Sequence, residues 1–161
     1  MEKKPRHPRN LAFWLGTGLG SGLAPAAPGT AGSLAALPFI YAAGVFGGAP
    51  ALAAFLVFWI AASLFTAPGF ERCYSEDPAL FVADEWAGQT VPFIGISFSG
   101  VFAEDALLLL AGFVLFRIFD ILKPLGINKA EKLPSPLGIL ADDLLAGVYA
   151  LILLKLLIFL I

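Results

Sequence analysis

The chain has 161 residues, 59% of them hydrophobic and 14% charged; a soluble domain averages about 45–50% apolar and about 25% charged, so a single apolar domain is expected and an ordinary soluble globule is not. One cysteine, Cys73, excludes an internal disulfide, and one histidine, His7, excludes a histidine-built zinc site. The net charge of −2 is unevenly spread: four of the ten basic residues fall in the first nine positions, and no later basic face offers what a nucleic-acid partner needs.

Residues 1–10, MEKKPRHPRN, form a basic tail. With LAFWLGTGLGSGLAPA behind it, the tail mimics a secretory leader ending in small residues at Ala24 and Ala26. Gly16, Gly18, Gly20 and Gly22 interrupt the apolar run such a leader needs, so the tail reads instead as a cytoplasmic anchor under the positive-inside rule. Residues 11–161 read as one integral-membrane helical domain. Residues 10–70 contain no Asp, Glu, Lys or Arg. The stretch 16–33, GTGLGSGLAPAAPGTAGS, admits two readings. Glycine lets backbone amides approach a ligand such as phosphate, and small residues equally let membrane helices pack closely. Thr17, Ser21, Thr30 and Ser33 are its hydroxyls. The P-loop lysine and the dinucleotide glycine spacing are both missing.

Residues 34–46 are apolar, with Pro38 inside; Gly47, Gly48 and Pro50 mark a turn; 51–66 is a second apolar run, ended by Pro68-Gly69. Both runs are shorter than the roughly 20 residues of a spanning helix and together predict a helical hairpin. Asp77-Pro78 reads as a helix start, Asp as N-cap and Pro in the first turn. That helix carries Asp84 and Glu85, which point about 100° apart, and ends near Pro92. A bend or broken helix follows through Gly100. Glu104 and Asp105 are read as the solvated start of a long apolar helix over 106–122. Trp14 and Trp86 are read as interface markers. Lys123-Pro124 stops the helix, 125–137 is a polar connection, and 138–161 is the last helix, with Lys155 snorkelling or paired. The predicted class is all-α: a compact membrane bundle of about four to five apolar helices, one central helix carrying charges. With the tail inside, five crossings place 16–33, Asp84, 117–123 and 142–143 on the cytoplasmic side. Neither inferred outer loop contains Lys or Arg.

Chemistry concentrates in 116–147. Ionised groups in an apolar helix cost roughly 2.5–3.5 kcal/mol each on insertion scales, so they are rarely incidental. Arg117, Asp120 and Lys123, spaced i, i+3, i+6, form one cation–anion–cation stripe. A purely structural ion pair between Arg117 and Asp120 fits the same spacing. Asp142 and Asp143 offer the hard oxygens that Mg²⁺ takes. Cations for phosphate oxygens beside carboxylates for a metal suggest phosphate chemistry.

Four blocks carry a resemblance: GTGLGSGLAPAAPGTAGS (16–33), DPALFVADEWAG (77–88), FRIFDILKP (116–124) and GILADDLLAG (138–147). In this order and spacing, over nearly the whole chain, the sequence resembles the phosphatidylglycerophosphatase A family. The approach to the last block, KLPSPLGI, is less glycine-rich than is usual there. The resemblance implies a small all-helical, Mg²⁺-dependent enzyme of the bacterial inner membrane, multi-pass, its site facing the cytoplasm. It implies hydrolysis of the terminal phosphomonoester of phosphatidylglycerophosphate to phosphatidylglycerol. Its implied catalytic residues are Asp84, Arg117, Asp120, Lys123, Asp142 and Asp143, with Asp84, Glu85, Asp142 and Asp143 on the metal. Thr17, Gly20, Ser21, Pro28, Gly29, Thr30 and Gly32 would form a phosphate-side loop, with Arg117 and Lys123 on the phosphate. The partners expected are that lipid and the bilayer, with no nucleic acid and no obligate protein partner. Exclusion points the same way: a histidine phosphatase lacks its histidines, a cysteine phosphatase lacks an Arg shortly after Cys73, and no Asp-x-Asp exists for a haloacid-dehalogenase-type site. Two rivals are a helical transport or channel subunit, which predicts charges strung across the membrane, and a CDP-alcohol phosphotransferase, whose aspartate signature is missing.

Overall fold

The computed structural model describes residues 9–74, 78–124, 126–130 and 132–160. Helix α1 is Leu11–Gly16, α2 is Pro28–Cys73, α3 is Ala83–Thr90, α4 is Phe102–Leu122, α5 is Ile127–Ala130 and α6 is Leu137–Leu160. Short 3-10 turns at Ser21–Leu23 and Val91–Phe93 complete the set, and no strand occurs among the described residues.

The uncharged third of the sequence makes the hairpin. Gly48 sits at φ 60, ψ −152 inside α2, outside the helical region. Phe39 and Trp59, on either side of it, both pack on Trp86, with ring centroids 5.3 and 4.4 Å away. A straight helix would separate them by ~30 Å, so the chain turns back at Gly48. The arms run further than expected. Pro28 is in the first turn, where its missing N–H costs nothing. Neither Pro38 nor Pro68 ends an arm, and helix continues through Pro68 to Cys73; inside an apolar bundle, neighbouring helices re-satisfy the groups a proline frees.

Helix α3 is the hub. Seven of its eight residues are buried, between the α2 hairpin and α6, while α4 closes on α6. It begins at Ala83, five residues after the expected start at Pro78, because 78–82 is taken up by a turn in which the Phe81 N–H donates to the Pro78 carbonyl at 2.7 Å. The expected cap, Asp77, lies outside the described residues, as do residues 1–8 of the basic tail and Leu125 and Glu131 of the polar connection. Trp86 is 1% exposed and is a core residue, not an interface marker; Trp14, at 43%, is partly open.

Two helices, α2 and α6, are long and apolar enough to cross a membrane. Large apolar side chains face outward from α2, α4 and α6, among them Phe46, Phe65, Leu107, Ile121 and Phe159. An apolar exterior of this extent marks membrane association.

Candidate active site

Three charged segments, 84–85, 117–123 and 142–143, meet at one cavity. Glycine sets the spacing. A Cβ on Gly88 would lie 2.8 Å from the Asp143 carbonyl oxygen and equally close to the Phe116 ring. Helices α3 and α6 therefore pack nearly backbone to backbone, which brings Asp84 and Glu85, in the first turn of α3, beside Asp142 and Asp143 near the start of α6. Helix α4 supplies Arg117, Asp120 and Lys123 from its last turns. Lys123 caps that helix in the left-handed region (φ 45, ψ 48), and its N–H donates to the Phe119 carbonyl at 2.9 Å. A non-glycine residue there carries backbone strain of about 1–2 kcal/mol.

All seven residues line one cavity of about 240 Å³, with Pro28 and Gly29 from the first turn of α2 in its wall. The Arg117 Nη1 donates to Glu85 Oε2, lies 2.9 Å from Asp120 Oδ2 and donates to Ser33 Oγ at 3.2 Å. The Ser33 hydroxyl is also 3.0 Å from Glu85 Oε2. Lys123 Nζ is paired with Asp142 Oδ2. The Asp84 carboxylate accepts the Glu85 N–H at 2.9 Å. A Cβ on Gly29 would collide with the Glu85 carboxylate, so a side chain there would displace Glu85 from Arg117.

Two features bear on what the cavity can bind. Carboxylate oxygens of Glu85, Asp120 and Asp143 come within 4.8 Å of one another. Five acids share the cavity with two cations, so carboxylates outnumber the positive charges beside them. The donors are all hard oxygens, the set that suits Mg²⁺. Arg117 Nε, conversely, is a buried donor with no hydrogen-bond partner. A buried, unspent guanidinium N–H is costly and leaves a donor for a bound oxygen.

The grouping differs in detail from the sequence expectation. Asp120, expected to be catalytic but not a ligand, joins the closest acid triad, whereas Asp142 is engaged by Lys123 and Asp84 by the Glu85 backbone. Thr17, Gly20, Ser21, Thr30 and Gly32 do not line the cavity. Thr17 donates to the Phe13 carbonyl at 2.8 Å, Ser21 donates to the Gly18 carbonyl at 2.7 Å and accepts from Trp86 Nε1, Gly20 abuts Trp14, and Gly32 abuts Val82. Ser33, which composition showed only as one of four hydroxyls, is the one against Glu85 and Arg117. Asp105 is buried rather than solvated, because the Ser99 and Gly100 N–H groups fold onto its carboxylate at 2.9 and 3.1 Å.

Comparison with known proteins gives one answer at the family level. The sequence model of the phosphatidylglycerophosphatase A family matches residues 14–158. A Bacteroides thetaiotaomicron protein named "Putative phosphatidylinositol-3-phosphatase" is 38% identical over 158 residues, covering 92% of this chain and 94% of its own. Phosphatidylglycerophosphatase A of Escherichia coli (strain K12) is 35% identical over 140 residues, 83% of this chain and 76% of its own. The Haemophilus influenzae protein of the same name is 38% identical over 147 residues, 89% of this chain and 86% of its own. No solved structure matches.

Proposed function

The chain belongs to the phosphatidylglycerophosphatase A family, and from that premise we propose that it hydrolyses the terminal phosphomonoester of phosphatidylglycerophosphate at the cavity between α3, α4 and α6, using a divalent metal held by Glu85, Asp120 and Asp143. The observation that carries the reading is the pairing of opposites in one small space: an acid triad short of positive charge and a buried Arg117 Nε short of an acceptor. A phosphate with its metal supplies both.

When bound, Mg²⁺ would polarise the phosphoryl group and lower the pKa of a coordinated water. The protein's own groups position and neutralise. Glu85, Asp120 and Ser33 fix the Arg117 guanidinium on its Nη1 side, leaving Nε for a phosphoryl oxygen, a charge-assisted bond of the stronger kind. Lys123, paired with Asp142 at the cavity wall, adds a second cation for charge that develops on those oxygens. The first turn of α2, with Pro28 and Gly29 in the cavity wall, adds the positive end of a helix dipole. Asp84 lies beside Glu85 as a further carboxylate toward the metal.

We place the cavity at the cytoplasmic face of a multi-pass fold. In the five-crossing count, the start of α2, the start of α3, the end of α4 and the start of α6 fall on one side, and these are the ends that line the cavity. The reversal at 47–50 and the stretch 94–103 carry no Lys or Arg, as outer loops should. A transport subunit would string charges along the bundle; instead α4 is uncharged between Asp105 and Arg117, and α6 between Asp143 and Lys155.

Phosphate release by the purified protein from phosphatidylglycerophosphate, with and without Mg²⁺, tests the proposal. Phosphatidylinositol-3-phosphate belongs in the same assay, since one relative is named for it. Metal-dependent release from phosphatidylglycerophosphate is expected. Release from neither lipid would overturn the reading.

A further inference from the structure

Two apolar hollows lie between the first arm of α2 and helix α4, outside the charged cavity. The upper one, about 350 Å³, is lined by Thr30, Phe113, Arg117, Ile118 and Ile121. The lower, about 500 Å³, is lined by Leu34, Leu37, Tyr41, Ala106, Leu110 and Phe113. They share Phe113, and the upper shares Arg117 with the charged cavity. The two hollows and the charged cavity therefore adjoin in series along α4, meeting at Phe113 and at Arg117. From Arg117 to Ala106, α4 runs ~16 Å, close to the ~15 Å depth of one leaflet's chains, half of a ~30 Å hydrocarbon core. At the far end, Tyr41 lines the cleft, and its hydroxyl is bonded to Asp105. The walls between are apolar except for Thr30, which stands where the cleft meets the charged cavity.

We propose that this cleft between α2 and α4 is an acyl-chain subsite: one fatty chain of the phospholipid substrate lies along it while the phosphate occupies the charged cavity. The inference rests on the phosphatase reading above and adds a route. The lipid enters sideways from the leaflet, between α2 and α4, headgroup first past Thr30 and Arg117. The shared Arg117 wall singles out the substrate's own chain from other apolar occupants, because a chain in this cleft begins beside the group proposed to hold the phosphate. A lipid or second copy seated there for packing alone needs no contact with Arg117.

Two measurements test it. In the first, Ala106→Trp and Leu37→Trp fill the lower hollow, away from every residue given a chemical role. Each should raise KM for a dipalmitoyl phosphatidylglycerophosphate about tenfold, the worth of two or so buried methylenes, and leave kinetics on a dibutyroyl analogue unchanged. Equal loss on both substrates, or no loss on either, would overturn the subsite. The second needs no turnover and no variant. Wild-type protein is photolabelled with a phosphatidylglycerophosphate carrying a mid-chain diazirine, and the adducts are mapped by mass spectrometry. Label should concentrate on Leu34, Tyr41, Leu110 and Phe113 and be competed by unlabelled phosphatidylglycerophosphate but not by phosphatidylcholine. Label spread evenly over the outward faces of α2, α4 and α6 would overturn it. Absence of phosphate release from either chain length by the wild type would instead count against the phosphatase reading, with the labelling still reporting on the cleft.

Discussion

Asp105 and Asp120 stand near opposite ends of one helix, α4, and both are buried, at 5% and 8% exposure. Asp105 is answered by its own neighbourhood: the Ser99 and Gly100 N–H groups and the Tyr41 hydroxyl. Asp120 faces Arg117, but Arg117 also serves Glu85, and further carboxylates crowd the same space. Burial alone therefore does not mark a functional acid in an apolar bundle. An acid saturated by local backbone holds a loop against a helix. An acid that shares one cation with its rivals leaves room for a metal.

The comparison can be broken from either end. The largest effect is expected at the crowded end. Asp143→Asn and Asp120→Asn should each lower the rate of phosphate release about 10²–10³-fold, the cost of removing a preorganised electrostatic partner, with the protein still folded by circular dichroism. Stripping divalent metal with EDTA should abolish release from the wild type, and added Mg²⁺ should restore it. Arg117→Lys comes next: a lysine keeps the charge but loses the fork that spans Glu85, Asp120 and a phosphoryl oxygen, so a loss of about tenfold or more is expected in steady-state assays. Gly88→Ala pushes α3 off α6 at the Asp143 carbonyl; it should cost about 1–3 kcal/mol of stability by overpacking, read as a lower thermal midpoint, and reduce the rate with it. The smallest effect on activity is expected at Asp105→Asn. It forfeits one of two backbone hydrogen bonds, about 1–3 kcal/mol of stability, while release per folded molecule stays at the wild-type level.

The same contrast explains what the sequence could show. The stripe Arg117, Asp120, Lys123 was legible because helical spacing fixes its geometry, and the hairpin because Gly47, Gly48 and Pro50 interrupt two apolar runs. The meeting of those charges with Asp84, Glu85, Asp142 and Asp143 was expected from the family resemblance and from crossing parity, not from any local spacing. What depended on three-dimensional partners was not. Asp105 looked solvated because nothing local announces that Ser99 and Gly100 turn their N–H groups onto it. Trp86 resembled an interface residue until Trp59 and Phe39 closed over it. Pro68 has the character of a helix stop in water, yet the bundle carries helix through it. Ser33 was indistinguishable from Thr17, Ser21 and Thr30 by composition; only the fold sets its hydroxyl against Glu85.

The claim beneath all of this is that Glu85, Asp120 and Asp143 hold a divalent ion facing Arg117. Mn²⁺, standing in for Mg²⁺, can be followed by electron paramagnetic resonance on the purified protein without any turnover. Saturable Mn²⁺ binding by the wild type and by Asp105→Asn, lost or much weakened in Asp120→Asn and Asp143→Asn, is the predicted result. Binding that survives unchanged in both of the latter variants would contradict it.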